Sequence, residues 1–287
     1  MTEKSKKARS AICVIISFLL SVFLFFTAFA ATVRTTALNS KFAVRVIRNS
    51  NYSEELHKEL KEQFVSYGNA GNVDESFFDS FFENVITPEQ LDSDSEKIIT
   101  AFYKGESLSK LDTTEMESKL TDALLKYAEE KNYKINDELK ANIDDMSVQF
   151  GELYNSFVNI FANSYFQTAG SLIGRYTPLV NYAIIGLIVL MLISAVILRM
   201  YYRKRKNVYR YYIYSFSAAT LMMLVAPLAA LIMKVGNRIN IGTASLYGLA
   251  SGLINGVLIS FIIAAGVLAV ITVLLVLLRN SFVKKNK

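Results

Sequence analysis

A few residues in this sequence have types and spacings that chemistry uses. Asp92, Asp94 and Glu96 alternate in the manner of calcium ligands. A calcium loop of the helix–loop–helix kind needs glycine at its sixth position and glutamate at its twelfth. Here those positions hold Lys97 and Tyr103, and Ser93-x-x-Glu96 fits a capping box that opens a helix over Lys97–Lys104. His57, the one histidine, lies among Glu54, Glu55 and Lys61. With no second ligand beside it, it reads as a surface histidine on a solvated helix face. Cys13 is the one cysteine, which excludes an internal disulfide and, with a single histidine, the usual zinc sites. Cys13 itself reads as a small packing or lipid-facing residue. No Ser-His-Asp set, G-x-S-x-G, Walker or G-x-G-x-x-G pattern stands in its needed context. No catalytic, cofactor-binding or metal-binding residue is assigned, and no enzyme is expected.

Two further sets carry interaction chemistry. Gly248, Gly252, Gly256, Ser260 and Ala264 recur every fourth residue. Such a row lets two helix backbones approach closely, here another span of the same chain or a second copy. Asn255 beside it is placed to hydrogen-bond between helices. Between Tyr201 and Tyr212 the chain mixes tyrosine with Arg203, Lys204, Arg205, Lys206 and Arg210. This is the composition of a cytoplasmic loop with an interfacial tyrosine belt, and a candidate contact for anionic lipid or a protein partner.

The elements that hold these residues divide into two regimes. The chain has 287 residues, 52% of them hydrophobic, and a mean hydropathy of +0.30. That average is high for a soluble domain of this length, yet 20% of the residues are charged. Four apolar runs can each cross a hydrocarbon core, which takes about 20 helical residues. They are Ile12–Val33, Leu179–Leu198, about Tyr214–Met233, and Leu253–Leu278. None contains an acidic or basic residue. Coupled transporters usually carry ionisable groups inside their spans, so a solitary secondary transporter is not expected.

Charge gives the orientation. The segments before the first run, between the second and third, and after the fourth hold 14 basic residues and one acid, Glu3. They are expected in the cytoplasm, with both termini. Arg34–Pro178 holds 24 of the 25 acids and 15 basic residues, and is expected outside. The basic balance therefore reflects topology and inner-leaflet lipid, and no nucleic-acid partner is expected. Ala28-Phe29-Ala30 resembles a signal-peptidase site, but the apolar run before it is longer than a signal peptide needs, so a retained anchor is expected.

The acidic segment reads as helices. Ser53 is expected to cap Glu54–Tyr67, with Gly68 as its stop. Asp74–Asn84 carries Phe77, Phe78, Phe81 and Phe82; Thr87-Pro88-Glu89 starts a short turn; Thr114–Lys131 carries Met116, Leu120, Leu124 and Tyr127. From about Asn136, Leu139, Ile143, Met146, Phe150, Leu153, Phe157 and Ile160 form a heptad seam. The seam packs either on the domain's own helices or on a second copy. Its helix is expected to run on toward Arg175, breaking near Gly170 or Gly174 before Pro178 opens the second span.

Low Trp with abundant Lys, Ile, Asn and Tyr fits a low-GC Gram-positive bacterial chain. The stretches Leu38-Asn39-Ser40-Lys41-Phe42, Asn51-Tyr52-Ser53-Glu54-Glu55-Leu56 and Val85-Ile86-Thr87-Pro88-Glu89 resemble uncharacterised four-span membrane proteins of such bacteria. That resemblance implies an envelope protein and no particular activity. The layout of one span, a large outer domain and three further spans also resembles macrolide-exporter-type ABC permeases, without their motifs.

The expected fold is all-α. Residues 1–33 form the cytoplasmic N-terminus and first transmembrane helix. Residues 34–178 form an extracytoplasmic helical domain. Residues 179–287 form three further transmembrane helices with a basic loop and tail. The expected function is a non-enzymatic multi-pass cell-membrane protein whose outer domain binds or senses a protein, peptide or wall component. The alternative is a permease-type subunit of an ABC-like complex. The lipid bilayer and a protein partner or second copy are the expected partners, with no cofactor.

Overall fold

The computed structural model describes residues 3–106, 110–162, 164–201 and 205–284. The described residues form α-helices joined by short turns, with one 3₁₀ turn at Val235–Asn237 and no strand. In chain order the helices are α1 (Glu3–Thr35), α2 (Ser40–Asn49), α3 (Tyr52–Ala70), α4 (Glu75–Asn84), α5 (Pro88–Lys104), α6 (Thr114–Glu130), α7 (Asp137–Val158), α8 (Ser164–Tyr201), α9 (Arg205–Ile232) and α10 (Ala244–Lys284). Four of them hold stretches long and apolar enough to cross a membrane: Arg9–Thr35, Ser164–Tyr201, Asn207–Asn237 and Ala244–Val283. The chain divides into two compact units.

The first unit comprises Met1–Asn39, Tyr176–Arg238 and Leu253–Lys287. Its closest pairing is α1 against α9. The buried face of α1 is Cys13, Ser17, Leu20, Ser21 and Leu24; that of α9 is Val208, Tyr211, Ser215, Ala219 and Met223. Small side chains at helical spacing let these two backbones approach. Two serines then bond reciprocally. The Ser215 hydroxyl donates to the Ser17 carbonyl at 2.7 Å, and Ser17 donates to the Tyr211 carbonyl at 3.0 Å. Cys13 is fully buried here, so it is a packing residue and not a lipid-facing one. Leu198 of α8 and Phe261, Ala265 and Leu268 of α10 complete the buried cluster. Asn255 Nδ2 donates to Asn237 Oδ1, in the turn before α10, at 3.3 Å.

The second unit comprises Ser40–Arg175 with Ile239–Gly252. Its core is aromatic. Phe64 of α3, Phe78 and Phe82 of α4, and Phe150 of α7 are all buried. Phe64 meets Phe82 edge-on at 5.1 Å between centroids and Phe150 at 4.4 Å. Gly68 is no helix stop: α3 continues to Ala70, and a side chain at Gly68 would collide with the Phe78 ring. Of the heptad seam, Ile143 and Phe150 are buried and Leu139, Met146, Leu153, Phe157 and Ile160 only half-buried; the buried face of α7 is turned from the seam toward Ser147, Tyr154 and Val158 and packs on the unit's own helices.

Several helix ends differ from the expectation. Ser53 lies inside the first turn of α3, and Asn51 precedes the helix. Ser93-x-x-Glu96 is not a capping box, because α5 runs unbroken from Pro88 to Lys104. Its cap is Thr87, whose hydroxyl accepts the Gln90 N–H at 3.3 Å, with Pro88 at the first helical position. Helix α7 breaks at Asn159, before the last seam residue Ile160, and not at Gly170 or Gly174. Those two glycines sit within α8, as does Pro178. They are seats for the end of α5: an added Cβ at Gly174 would lie 2.6 Å from the Lys104 carbonyl oxygen, and one at Gly170 2.8 Å from that of Phe102. Gly105 closes α5 with φ 73°, a left-handed conformation that glycine adopts without penalty.

Candidate functional site

Helix α6 in the second unit presents two adjacent stripes. Leu120, Leu124 and Ala128 are buried, and α6 packs chiefly on α7. One step round the helix, Met116, Lys119, Ala123, Tyr127 and Glu130 line two cavities. The spacing of three, four, four and three residues keeps them on one face. Val85 lies in the walls of both cavities, so the two follow the length of α6. Seventeen residues make α6 about 25 Å long, and the two cavities lie along it.

The larger cavity, of 460 Å³, lies between α4 and α6. Its floor is Phe77 and Phe81, which stack at 6.3 Å, with the Tyr127 ring 5.3 Å from Phe77. Ser76, Ser80 and Asn84 stand along the α4 wall and Lys126 and Glu130 along the α6 wall. At its end Lys131 donates to Asp74 Oδ2 at 2.6 Å while lying over the Tyr127 ring. That hydrogen bond holds the Asp74 carboxyl below the usual carboxylate range. An aromatic floor between polar walls binds an apolar side chain or ring and hydrogen-bonds what flanks it.

The smaller cavity, of 120 Å³, is polar. Its back wall is Asp94, only 7% exposed. The carboxylate accepts from the Tyr154 hydroxyl at 2.7 Å, Gln90 Nε2 at 3.0 Å and Lys97 Nζ at 2.8 Å. Three donors offset the cost of burying the charge. Burial, and then the Asp94 carboxylate itself, push the Tyr154 phenol far above its ordinary range, so it stays a donor. Asp112 and Thr113 form the opposite rim. Asn155 fixes that segment, accepting the Leu111 N–H at 2.6 Å and donating to its carbonyl at 3.3 Å.

The residues singled out in the sequence fall elsewhere. Asp92, Asp94 and Glu96 do not converge: Asp92 accepts from Ser53, Asp94 faces the groove, and Glu96 pairs with Arg48. Among the described residues no group of three His, Cys, Asp or Glu is arranged to hold a metal. His57 is not a solvated surface residue. It is half-buried, its ring edge-on to Phe82 at 5.2 Å and its Nε2 buried without a hydrogen-bond partner. Along α10, Gly248 faces open space, and an added Cβ at Gly252 would lie 2.9 Å from Val46 Cγ1. Gly256 accepts the Ser260 hydroxyl at 2.8 Å, and Ala264 packs on the first unit's buried cluster. Arg203 and Lys204 lie outside the described residues, Arg205 and Lys206 begin α9, and Arg210 donates to the Tyr214 hydroxyl at 2.6 Å.

The groove was not singled out in the sequence. Its signal was present in Met116 and Tyr127, which share the apolar spacing of α6 but flank its buried stripe. An apolar residue at the edge of a stripe has the same periodicity whether it meets a neighbour or a cavity.

The fold is thus an all-helical one with four helices able to cross a membrane and a second helical unit with two cavities along α6. Comparison of the chain with models of protein families, with curated proteins and with solved structures gives no match.

Proposed function

We propose that this chain is a non-enzymatic, multi-pass protein of the cell envelope. Its helical unit lies on the extracytoplasmic side and binds or senses a protein, peptide or wall component through the α6 groove. Charge supports the orientation: 24 of 25 acids fall in the inserted segment, and 14 basic residues fall in the flanks assigned to the cytoplasm. The observation that carries the binding reading is the 460 Å³ cavity with its aromatic floor and Ser, Asn and Lys walls. The helix α6 that carries both cavities is about 25 Å long, the reach of a peptide of seven or eight extended residues.

Orientation and binding are tested separately. Cysteines placed at Ser66 and Asn207, both exposed, are expected to react oppositely with an impermeant reagent on intact cells. Labelling of Asn207→Cys from outside overturns the topology. For binding, a photo-crosslinker replaces Ser80 in the groove wall, and Ser66 serves as the control site. The expected result is an adduct at Ser80 that Ala123→Trp, which fills the groove, abolishes. An adduct that survives Ala123→Trp, or one equally strong at Ser66, refutes the groove as the binding site.

A further inference from the structure

The first turns of α10 belong to the second unit, because Ile239–Gly252 cluster with Ser40–Arg175. What holds them is a side chain from α3. Glu59 Oε1 accepts the Ser245 backbone N–H at 3.1 Å, and Oε2 accepts the Ser245 hydroxyl. Ser245 is the second residue of α10 and is 1% exposed. The opening N–H groups of a helix have no partner within it, and its N-terminal end favours negative charge. An N-cap residue normally meets that need from within the helix's own chain. Here a carboxylate on a different helix does so.

The docking continues along one face of α10. Leu249, four residues on, is buried. Gly252, three further, meets Val46 of α2 so closely that a Cβ would crowd it. In its first turn, less than two turns before Glu59, α3 is tied to α5, since the Ser53 hydroxyl donates to Asp92. Two residues beyond Asp92, Asp94 forms the back wall of the smaller cavity. So α5 reaches both the groove and α3, and α3 reaches α10. Past Gly252, α10 continues unbroken to Lys284 as the fourth candidate span.

We propose that the Glu59 cap is a coupling device. It holds the first turn of α10 to α3, so that a displacement of α5 at the groove is passed to the fourth membrane helix. The two states are a capped first turn and a frayed one. A bond between a carboxylate and a backbone N–H is short-ranged, so a small movement of α3 shifts the balance between them. The purpose of such a device rests on the sensing reading; the contact itself does not.

The test is hydrogen exchange of the full-length protein in lipid nanodiscs, read in peptides covering residues 244–252. Glu59→Ala is expected to speed exchange there on the order of fivefold, the scale of a lost cap. Asp92→Ala removes the acceptor on α5 without touching the Glu59–Ser245 contact itself, and is expected to speed the same peptides while Glu59 is present. In a Glu59→Ala background Asp92→Ala is expected to add nothing, because the path is already cut. Unchanged exchange in Glu59→Ala overturns the proposal, and so do effects that multiply independently. Peptides around Leu124 and Phe150 report the fold. If Glu59→Ala accelerates these too, Ser245→Ala, which leaves Glu59 and one of its bonds in place, takes its role in the cycle under the same criteria. Loss of the Ser80 adduct with an intact cycle refutes the groove and leaves the coupling standing; the reverse refutes the coupling alone.

Discussion

The α1–α9 pair and the aromatic core of the second unit solve the same packing problem with opposite side chains. Between α1 and α9 the small residues Cys13, Ser17, Ser21, Ser215 and Ala219 sit among Leu20, Leu24, Tyr211 and Met223, and two of the serines exchange hydrogen bonds with backbone carbonyls. In the second unit the contact is made by Phe64, Phe78, Phe82 and Phe150, whose rings meet one another. The difference follows from what surrounds each. Among lipid tails a large apolar side chain gains little by leaving its surroundings, so close backbone approach and hydrogen bonds decide which helices pair. Helices with charged faces gain most by removing large rings from water. A pair built on small residues is sensitive to shape and hydrogen bonding. A core built on rings is sensitive to lost volume.

The largest expected effect tests the aromatic side. Phe64 is fully buried and touches three other rings. Phe64→Ala should cost about 3–5 kcal/mol, the range for deleting a buried ring. Hydrogen exchange in nanodiscs is expected to accelerate across α3, α4 and α7 and to stay unchanged in α1 and α9. Equal acceleration in both regions would mean that the two unfold as one, and the comparison would fail.

The two regions were unequally legible in the sequence. Hydropathy located four spans, and apolar periodicity located the helices around Phe64, Phe78 and Leu120. The choice of packing partners was not legible. The glycine row on α10 drew attention because glycine is conspicuous in an apolar run. Ser17 and Ser215 did not, although they bond directly, because a serine in a span has the same spacing whether it meets a partner or its own helix. Most span serines and threonines here do the latter, such as Thr27 bonding to Phe23 and Thr220 to Phe216. The docking of Ile239–Gly252 was hidden for a related reason. Leu249 is equally apolar whether it faces protein or lipid, and a lone Glu59 on a charged helix gives no sign that its partner lies nearly two hundred residues away. Gly170 and Gly174 were visible, but their role reversed: in a continuous helix they allow close approach instead of ending it. At the smaller cavity, the spacing of Asp94 with Asp92 and Glu96 is visible in the sequence, whereas one of its three donors, Tyr154, comes from a different helix.

A second prediction concerns a buried phenol in the second unit. Burial pushes the Tyr52 phenol up to about 12. Its folded value lies above the unfolded one of about 10, so its neutral form is favoured by folding. The stability it contributes is fully present below about pH 10 and is lost as pH rises toward 12, amounting to roughly 2–3 kcal/mol. Exchange in α3 and α5 is therefore expected to accelerate between pH 10 and 12, after correction for the intrinsic rate. Tyr52→Phe should remove most of that acceleration, because the ring remains and the ionisable hydroxyl goes. If Tyr52→Phe follows the wild-type pH profile, burial of this phenol is not the cause.

The smallest effect decides whether the serine exchange matters or merely fills space. Ser17 and Ser215 are 5% and 1% exposed, and their hydroxyl oxygens lie 2.9 Å apart. Ser17→Ala and Ser215→Ala each remove a hydroxyl without adding volume, so packing is disturbed little in either variant. Each hydroxyl also bonds a carbonyl of the opposite helix, which leaves the single variants with part of the network. The coupling between them, measured as a double-mutant cycle on unfolding in mixed micelles, should be about 0.6 kcal/mol and no more than roughly 1.7, the range for side-chain hydrogen bonds between membrane helices. Ala219→Leu gives the steric counterpart on the same face, where Ala219 is fully buried; overpacking there should cost about 1–3 kcal/mol. Shape and hydrogen bonding are then separable within one interface. A coupling of zero with a large Ala219→Leu effect would leave close approach as the sole determinant of the pair. A large coupling with a harmless Ala219→Leu would mean that the backbones are not held close at all, and that the small residues of α1 and α9 are there only to let two hydroxyls meet.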